Sequence, residues 1–197
     1  MPQKTFNNLP DNRQEAIRQI LLTVFTDQPV SQVKVSQIVT ALGMSRGIFY
    51  KYFEDLQDAY HYLITYYAGT IHGTIIQAIM KHQDHFFEGI ETFLLASVTL
   101  EKGSSAQRQI QLLTQNSALF SHRLPETHGF EAWKTILSAN DFQIESDEEA
   151  KSFLYFVMHL VIETLIDASV NDWTPEQLVT DYRYKVKWLL NGLNEGK

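Results

Sequence analysis

The residues of this chain best equipped for chemistry lie close together. Ser45, Arg46, Gly47, Ile48, Tyr50, Lys51 and Tyr52 combine a guanidinium, an ammonium and several hydroxyls within one short stretch, and Lys34 and Ser36 precede them. Such a set suits a polyanion: lysine and hydroxyl groups meet phosphate oxygens, and arginine offers the paired donors that a guanine edge accepts. Other groupings are weaker. Gly43-Met44-Ser45-Arg46-Gly47 has the letters of a nucleophile elbow, but it falls between two helical patterns rather than between a strand and a helix. His82-Gln83-Asp84-His85 with Glu88 is the one cluster suggestive of metal, whereas zinc wants three or four ligands at defined geometry, and a solvated helix end accounts better for it. His159 and Glu163, four apart, share a helix face; if buried they would orient a ligand or pair with each other. The chain has no cysteine, which excludes disulfides, thiolate metal sites and a cysteine nucleophile. No glycine-rich phosphate loop is present, so neither an enzyme nor a cofactor is expected.

The elements that must position these residues are all helical. Apolar residues recur at helical spacing, and nine glycines and five prolines are too few for a turn-rich fold. A first helix opens near Pro10 and Asp11, carries Ile17, Ile20, Leu21, Val24 and Phe25 as a stripe, and stops over Asp27–Gln32 with Pro29. A short helix from about Lys34 to Leu42 turns at Gly43, and Ser45 opens a second one that runs to about Phe53. Two short helices about a glycine turn make a helix-turn-helix. Ile38, Val39, Leu42, Phe49 and Phe53 lock the pair, and Ser45, Arg46, Gly47, Tyr50 and Lys51 face outward.

Further along, Asp55 caps a long helix reaching into the eighties. Helices are expected over Phe86–Leu100, Ser105–Gln115 and Glu131–Leu137, with an irregular stretch at Leu119–Gly129. Ser146, followed by three acids, and Thr174-Pro175-Glu176-Gln177 open two more helices, ending near Val170 and near Leu193, where Gly192 and Gly196 loosen the chain.

The stretch 33–53 resembles the TetR family of transcription regulators. The family pattern reads here as Ile38-Val39, then Gly43-Met44-Ser45-Arg46-Gly47-Ile48-Phe49-Tyr50, then Lys51-Tyr52-Phe53. The resemblance covers roughly the first 65 residues and implies a DNA-binding head (1–55) on a helical ligand-binding and dimerisation body (56–197). It implies that Tyr50 binds phosphate, that Ser45, Lys51 and Tyr52 sit at phosphate or near bases, and that Arg46 reads a guanine edge. Gly47 would allow close approach, and Ile48 would touch a thymine methyl. Two departures stand out: Lys34 occupies the place of the usual Ser or Thr opening the first helix of the motif, and Leu56 that of a lysine at the start of the next helix. Each lost phosphate contact lowers affinity and flattens its salt dependence.

In the body, Phe153, Leu154, Phe156, Val157, Leu160, Val161, Thr164, Leu165 and Ala168 give one helix more apolar surface than a single core face needs, and Tyr182, Val186, Leu189 and Leu190 stripe the next. The resemblance implies that these pair with a second copy as a homodimer on a palindromic operator. Aromatic residues, Phe120 and Phe130 among them, suggest an apolar effector pocket, for which Tyr67, Phe86, Phe93, Trp133, Tyr155, His159 and Glu163 are the candidates; core packing explains the same residues. Residues 1–58 carry six cations and six acids, so the net charge of −7 resides in the remainder, and the head is neutral on an acidic body. The start of the chain lacks a signal-peptide core and no uninterrupted apolar run nears a membrane span, which points to the cytoplasm. A dimeric helical module that binds a small molecule or a protein, with little DNA affinity, is the alternative.

Overall fold

The computed structural model describes residues 1–82, 85–117 and 130–191. Every regular element among them is helical, as the spacing of apolar residues predicts. The chain divides into two compact units, Met1–Gly69 with Glu101–Asn116, and Thr70–Leu100 with Ser117–Lys197.

The first unit holds α1 (Lys4–Asn7), α2 (Asp11–Asp27), a 3-10 turn (Val30–Gln32), α3 (Val35–Ala41), α4 (Arg46–Tyr52), the first part of α5 (Leu56–Lys81) and α7 (Ser105–Thr114). Its core joins Ile17, Leu21, Leu22 and Phe25 of α2 to Ile38, Phe49, Phe53, Leu63 and Leu112, all buried. It extends beyond the helix-turn-helix, because α2 has a second partner in α7. Arg108 of α7 donates to Thr26 Oγ1 at 2.8 Å and pairs with Asp27, Gln111 donates to the Thr26 carbonyl at 3.1 Å, and Ser105 donates to Gln19 Oε1 at 2.8 Å.

The second unit holds the rest of α5 with α6 (Phe86–Val98), α8 (Phe130–Ala139), α9 (Asp147–Val170) and α10 (Pro175–Asn191). At Gly89 of α6 a Cβ would come within 2.5 Å of Ile79 Cα, so only glycine lets α5 and α6 approach this closely. The start signals act as expected. Ser146 accepts from Glu149 N at 3.1 Å, and Thr174 and Gln177 exchange bonds at 2.8 and 3.3 Å ahead of Pro175. By length and hydropathy α9 would pass for a membrane span. Its Leu154, Val157, Val161 and Leu165 are instead buried in this unit, which accounts for the hydropathy. The Leu119–Gly129 stretch, Phe120, Gln83, Asp84, Gly192 and Gly196 lie outside the described residues.

Candidate nucleic-acid interface

The turn between α3 and α4 is built by Gly43, whose φ of +59° costs glycine little and any other residue strain. Gly43 N donates to Thr40 O at 3.2 Å and Met44 N to Val39 O at 2.9 Å, the paired bonds that close a helix through a left-handed residue. Lysine at position 34 has no oxygen with which to cap α3. Gln37 compensates, its Oε1 accepting the Lys34 N–H at 2.8 Å while Gln28 holds the same oxygen at 3.0 Å. Ser45 does stand at the cap position of α4, but its side chain makes no capping bond, so its hydroxyl is not engaged at the helix end.

Phe49 turns inward against Phe53, with ring centroids 5.6 Å apart, and fixes the rotation of α4. The opposite side is therefore outward. Ser45, Arg46, Gly47, Ile48, Tyr50 and Lys51 are all exposed, as are Lys34 just ahead of α3 and Ser36 on it, while Tyr52 is half-buried. Tyr50 is 47% exposed and stands edge-on to the Phe49 ring, 5.4 Å away. Beyond its own chain neighbours and helix backbone, the nearest described atom to a Cβ built on Gly47 is Ser45 Oγ at 3.8 Å, so packing does not require glycine there.

Two features of this unit escape a reading of the sequence. Arg18 is not a surface cation. It is buried in α2, with Nε 2.8 Å from Glu15, Nη1 3.1 Å from the Tyr62 hydroxyl and its guanidinium 4.2 Å from the centre of the Tyr66 ring. The other is α1, whose Phe6 is fully buried between Tyr52, Phe53 and Tyr62. A lone aromatic residue in the segment ahead of Pro10 was the available signal.

The aromatic residues expected around an effector are divided between the two units. Tyr67 belongs to the first unit, where Gln19 donates to its hydroxyl at 3.3 Å and burial pushes its pKa well up. In the second unit Phe86, Phe93 and Trp133 are buried, and the rings fill the space between their helices. Phe86 lies 5.7 Å from Trp133 and 5.1 Å from Phe142, and Trp133 lies 5.8 Å from Phe153 and donates to Ala150 O at 2.9 Å. Tyr155 is half-buried. His159 and Glu163 are exposed rather than buried, because the inward side of α9 is taken by Leu154, Val157, Met158, Val161 and Leu165. His159 bonds the Tyr155 carbonyl at 2.7 Å, not Glu163. Of the histidine cluster, His82 meets Thr92 at 3.0 Å and His85 stands 4.0 Å from Glu88.

The apolar surplus of α9 and α10 is also narrower than expected. Val157, Val161, Thr164, Leu165 and Ala168 serve the unit's own core, and Tyr182 is buried with its hydroxyl donating to Phe87 O at 3.0 Å. What remains outward is Phe156 and Val170 of α9 and Tyr184, Trp188, Leu189 and Leu190 of α10. Phe156, Leu160, Lys185, Trp188 and Leu189 line an open groove of about 380 Å³.

A glycine-turned helix pair with an outward polar and cationic second helix defines a helix-turn-helix protein. The family model of the tetracyclin repressor-like C-terminal domain matches residues 86–193, more than half of the chain. Among solved structures, a TetR-family transcriptional regulator from Pectobacterium atrosepticum is similar at 15% identity with a TM-score of 0.59, covering 94% of this chain and 97% of that one. A TetR family transcriptional regulator from Chloroflexus aurantiacus aligns at 16% identity with a TM-score of 0.47, covering 96% and 91%. No curated protein matches the chain. The chain belongs to the TetR family of transcriptional regulators.

Proposed function

We propose that this regulator is a ligand-responsive repressor that acts in the cytoplasm and binds a palindromic operator as a homodimer. The observation that carries the reading is the division of α4. Phe49 anchors one side in the core, and the other offers Arg46, Tyr50 and Lys51 to solvent around a glycine that the fold does not need. In this reading α4 enters the major groove, Arg46 reads a guanine, Ile48 meets a thymine methyl, and Ser45, Tyr50, Lys51, Tyr52, Lys34 and Ser36 hold phosphates or neighbouring bases. The second copy docks on the outward residues of α9 and α10, where Trp188 and Leu190 are 50% and 61% exposed. An apolar or aromatic effector would enter the second unit by parting the closed cluster of Phe86, Trp133 and Phe153, and would shift the population toward a form that does not fit the operator.

One observation favours a second reading, a dimeric helical module with little DNA affinity. With Arg18 buried and Leu56 in place of a lysine, the first unit presents few cations. The two readings separate on binding of the full chain to its own upstream intergenic DNA, titrated with salt, beside an Arg46→Ala/Tyr50→Ala variant. Selective, salt-weakened binding that the variant loses establishes the repressor reading. Binding no tighter than to random DNA removes it in favour of the module.

A further inference from the structure

We propose that the N-terminal segment Gln3–Phe6 is a working part of the DNA-binding surface: Thr5 and Phe6 position the end of the recognition helix, and Lys4 supplies a phosphate contact. This rests on the reading of α4 as that helix. With seven residues, α4 has few internal bonds to hold its last turn, and its final carbonyls need partners. They find them in the chain ahead of α2. The Thr5 hydroxyl donates to the Lys51 carbonyl, and Gln3 N donates to the Tyr52 carbonyl at 2.8 Å. Phe6 drives the association. It is fully buried, with its ring 5.1 Å from Phe53, 5.1 Å from Tyr62 and 6.0 Å from Tyr52. One apolar anchor and two hydrogen bonds thus fix the turn of backbone that carries Tyr50, Lys51 and Tyr52.

Lys4 follows from the same geometry. It lies between two residues bonded to the end of α4, and its own side chain is exposed. The segment also reaches the first turn of α5, where Met1 N meets the Asp58 carboxylate. That turn opens with Leu56, and α5 contributes Asp58 to it but no lysine or arginine of its own. Lys4 therefore brings positive charge to the end of α4 and the start of α5, where the chain's own α5 brings none.

The test uses the full chain with Lys4→Ala, Thr5→Val, Phe6→Ala and Phe6→Leu. Its readouts are affinity for the selected DNA across a salt series and amide hydrogen exchange at residues 49–53. Lys4→Ala is expected to weaken binding to specific and random DNA alike, by roughly five- to tenfold, and to lower the salt slope by about one without changing exchange. Thr5→Val and Phe6→Ala are expected to speed exchange at residues 49–53 and weaken binding with the slope kept, and Phe6→Leu to restore both. Unchanged slope and affinity in Lys4→Ala overturn its role; unchanged exchange in both Thr5→Val and Phe6→Ala overturns the positioning role. Should the parent chain bind no DNA selectively, the contact assigned to Lys4 falls with the operator reading, and the exchange data still decide the positioning.

Discussion

On the proposed reading of α4, stability and recognition make opposite demands at Gly47. Glycine inside a helix costs about 0.5–1 kcal/mol relative to alanine, and here a Cβ would meet only Ser45 Oγ, at 3.8 Å. Gly47→Ala is therefore expected to raise the unfolding free energy by about that amount while weakening operator binding, since the added methyl would stand where the proposed docking brings a base edge. Denaturant titration and DNA binding on the same preparation check it; an alanine variant that binds as tightly as the parent would remove close approach as the reason for this glycine. Gly89 is the opposite case. A Cβ there meets backbone at 2.5 Å, so Gly89→Ala should destabilise by about 1–3 kcal/mol, read as a lower denaturant midpoint. Both glycines stand in helical patterns, and a sequence alone does not distinguish a glycine facing open space from one facing a neighbouring backbone. The same holds for Arg18: its spacing puts it beside Ile17 and Leu21, but only the placement of Tyr62 and Tyr66 shows that a burying pocket of hydroxyl and ring awaits it.

At the scale of elements, legibility follows how local the determining physics is. Caps are local. Ser146, Thr174-Pro175 and Asp55 declare their helices within four residues, and the structure forms the bonds they announce, Asp58 N reaching Asp55 Oδ1 at 2.8 Å. Ser146→Ala should cost about 1 kcal/mol in thermal or denaturant unfolding. α1 was not legible because four residues carry no periodicity, and its existence depends on the distant rings of Phe53 and Tyr62. Likewise the outward side of α9 could not be chosen from a helix apolar on most faces; it took α6, α8 and α10 to claim the rest. Packing of tyrosines between helices also sets a pH limit. Burial raises the pKa of Tyr60, Tyr62, Tyr67 and Tyr182 above the ordinary value near 10. Their neutral forms belong to the fold, so their contribution is intact below about pH 10, where the unfolded chain also keeps its protons, and is lost as pH climbs beyond it. On the alkaline side the melting temperature should fall as the pH climbs past about 10, and less steeply in Tyr182→Phe.

For the whole molecule, the outward aromatic and aliphatic residues of α10 lead to a statement about assembly. Trp188→Asp with Leu190→Asp places two charges on the proposed interface without touching the buried Tyr182 or Leu178. Sedimentation should show a species of twice the chain mass for the parent and of the chain mass for the variant, with helical content kept. A parent that sediments as a single chain would dispose of this interface.

The first unit is assembled from two stretches of sequence, Met1–Gly69 and Glu101–Asn116, with thirty-one residues of the other unit threaded between them. Its apolar face is therefore completed by a piece that arrives late on the ribosome, and α2 must wait for Leu112 and Arg108 before its surroundings are whole. A chimera joined at the end of the helix-turn-helix is therefore expected to unfold at a lower denaturant concentration than either parent. A transplanted segment 1–55 would meet a foreign α7, with Thr26, Asp27 and Gln19 facing side chains selected for another partner. Grafts that carry α7 along with the head should keep this face intact, and moving the whole first unit while leaving the second takes three junctions, after Gly69, Leu100 and Asn116.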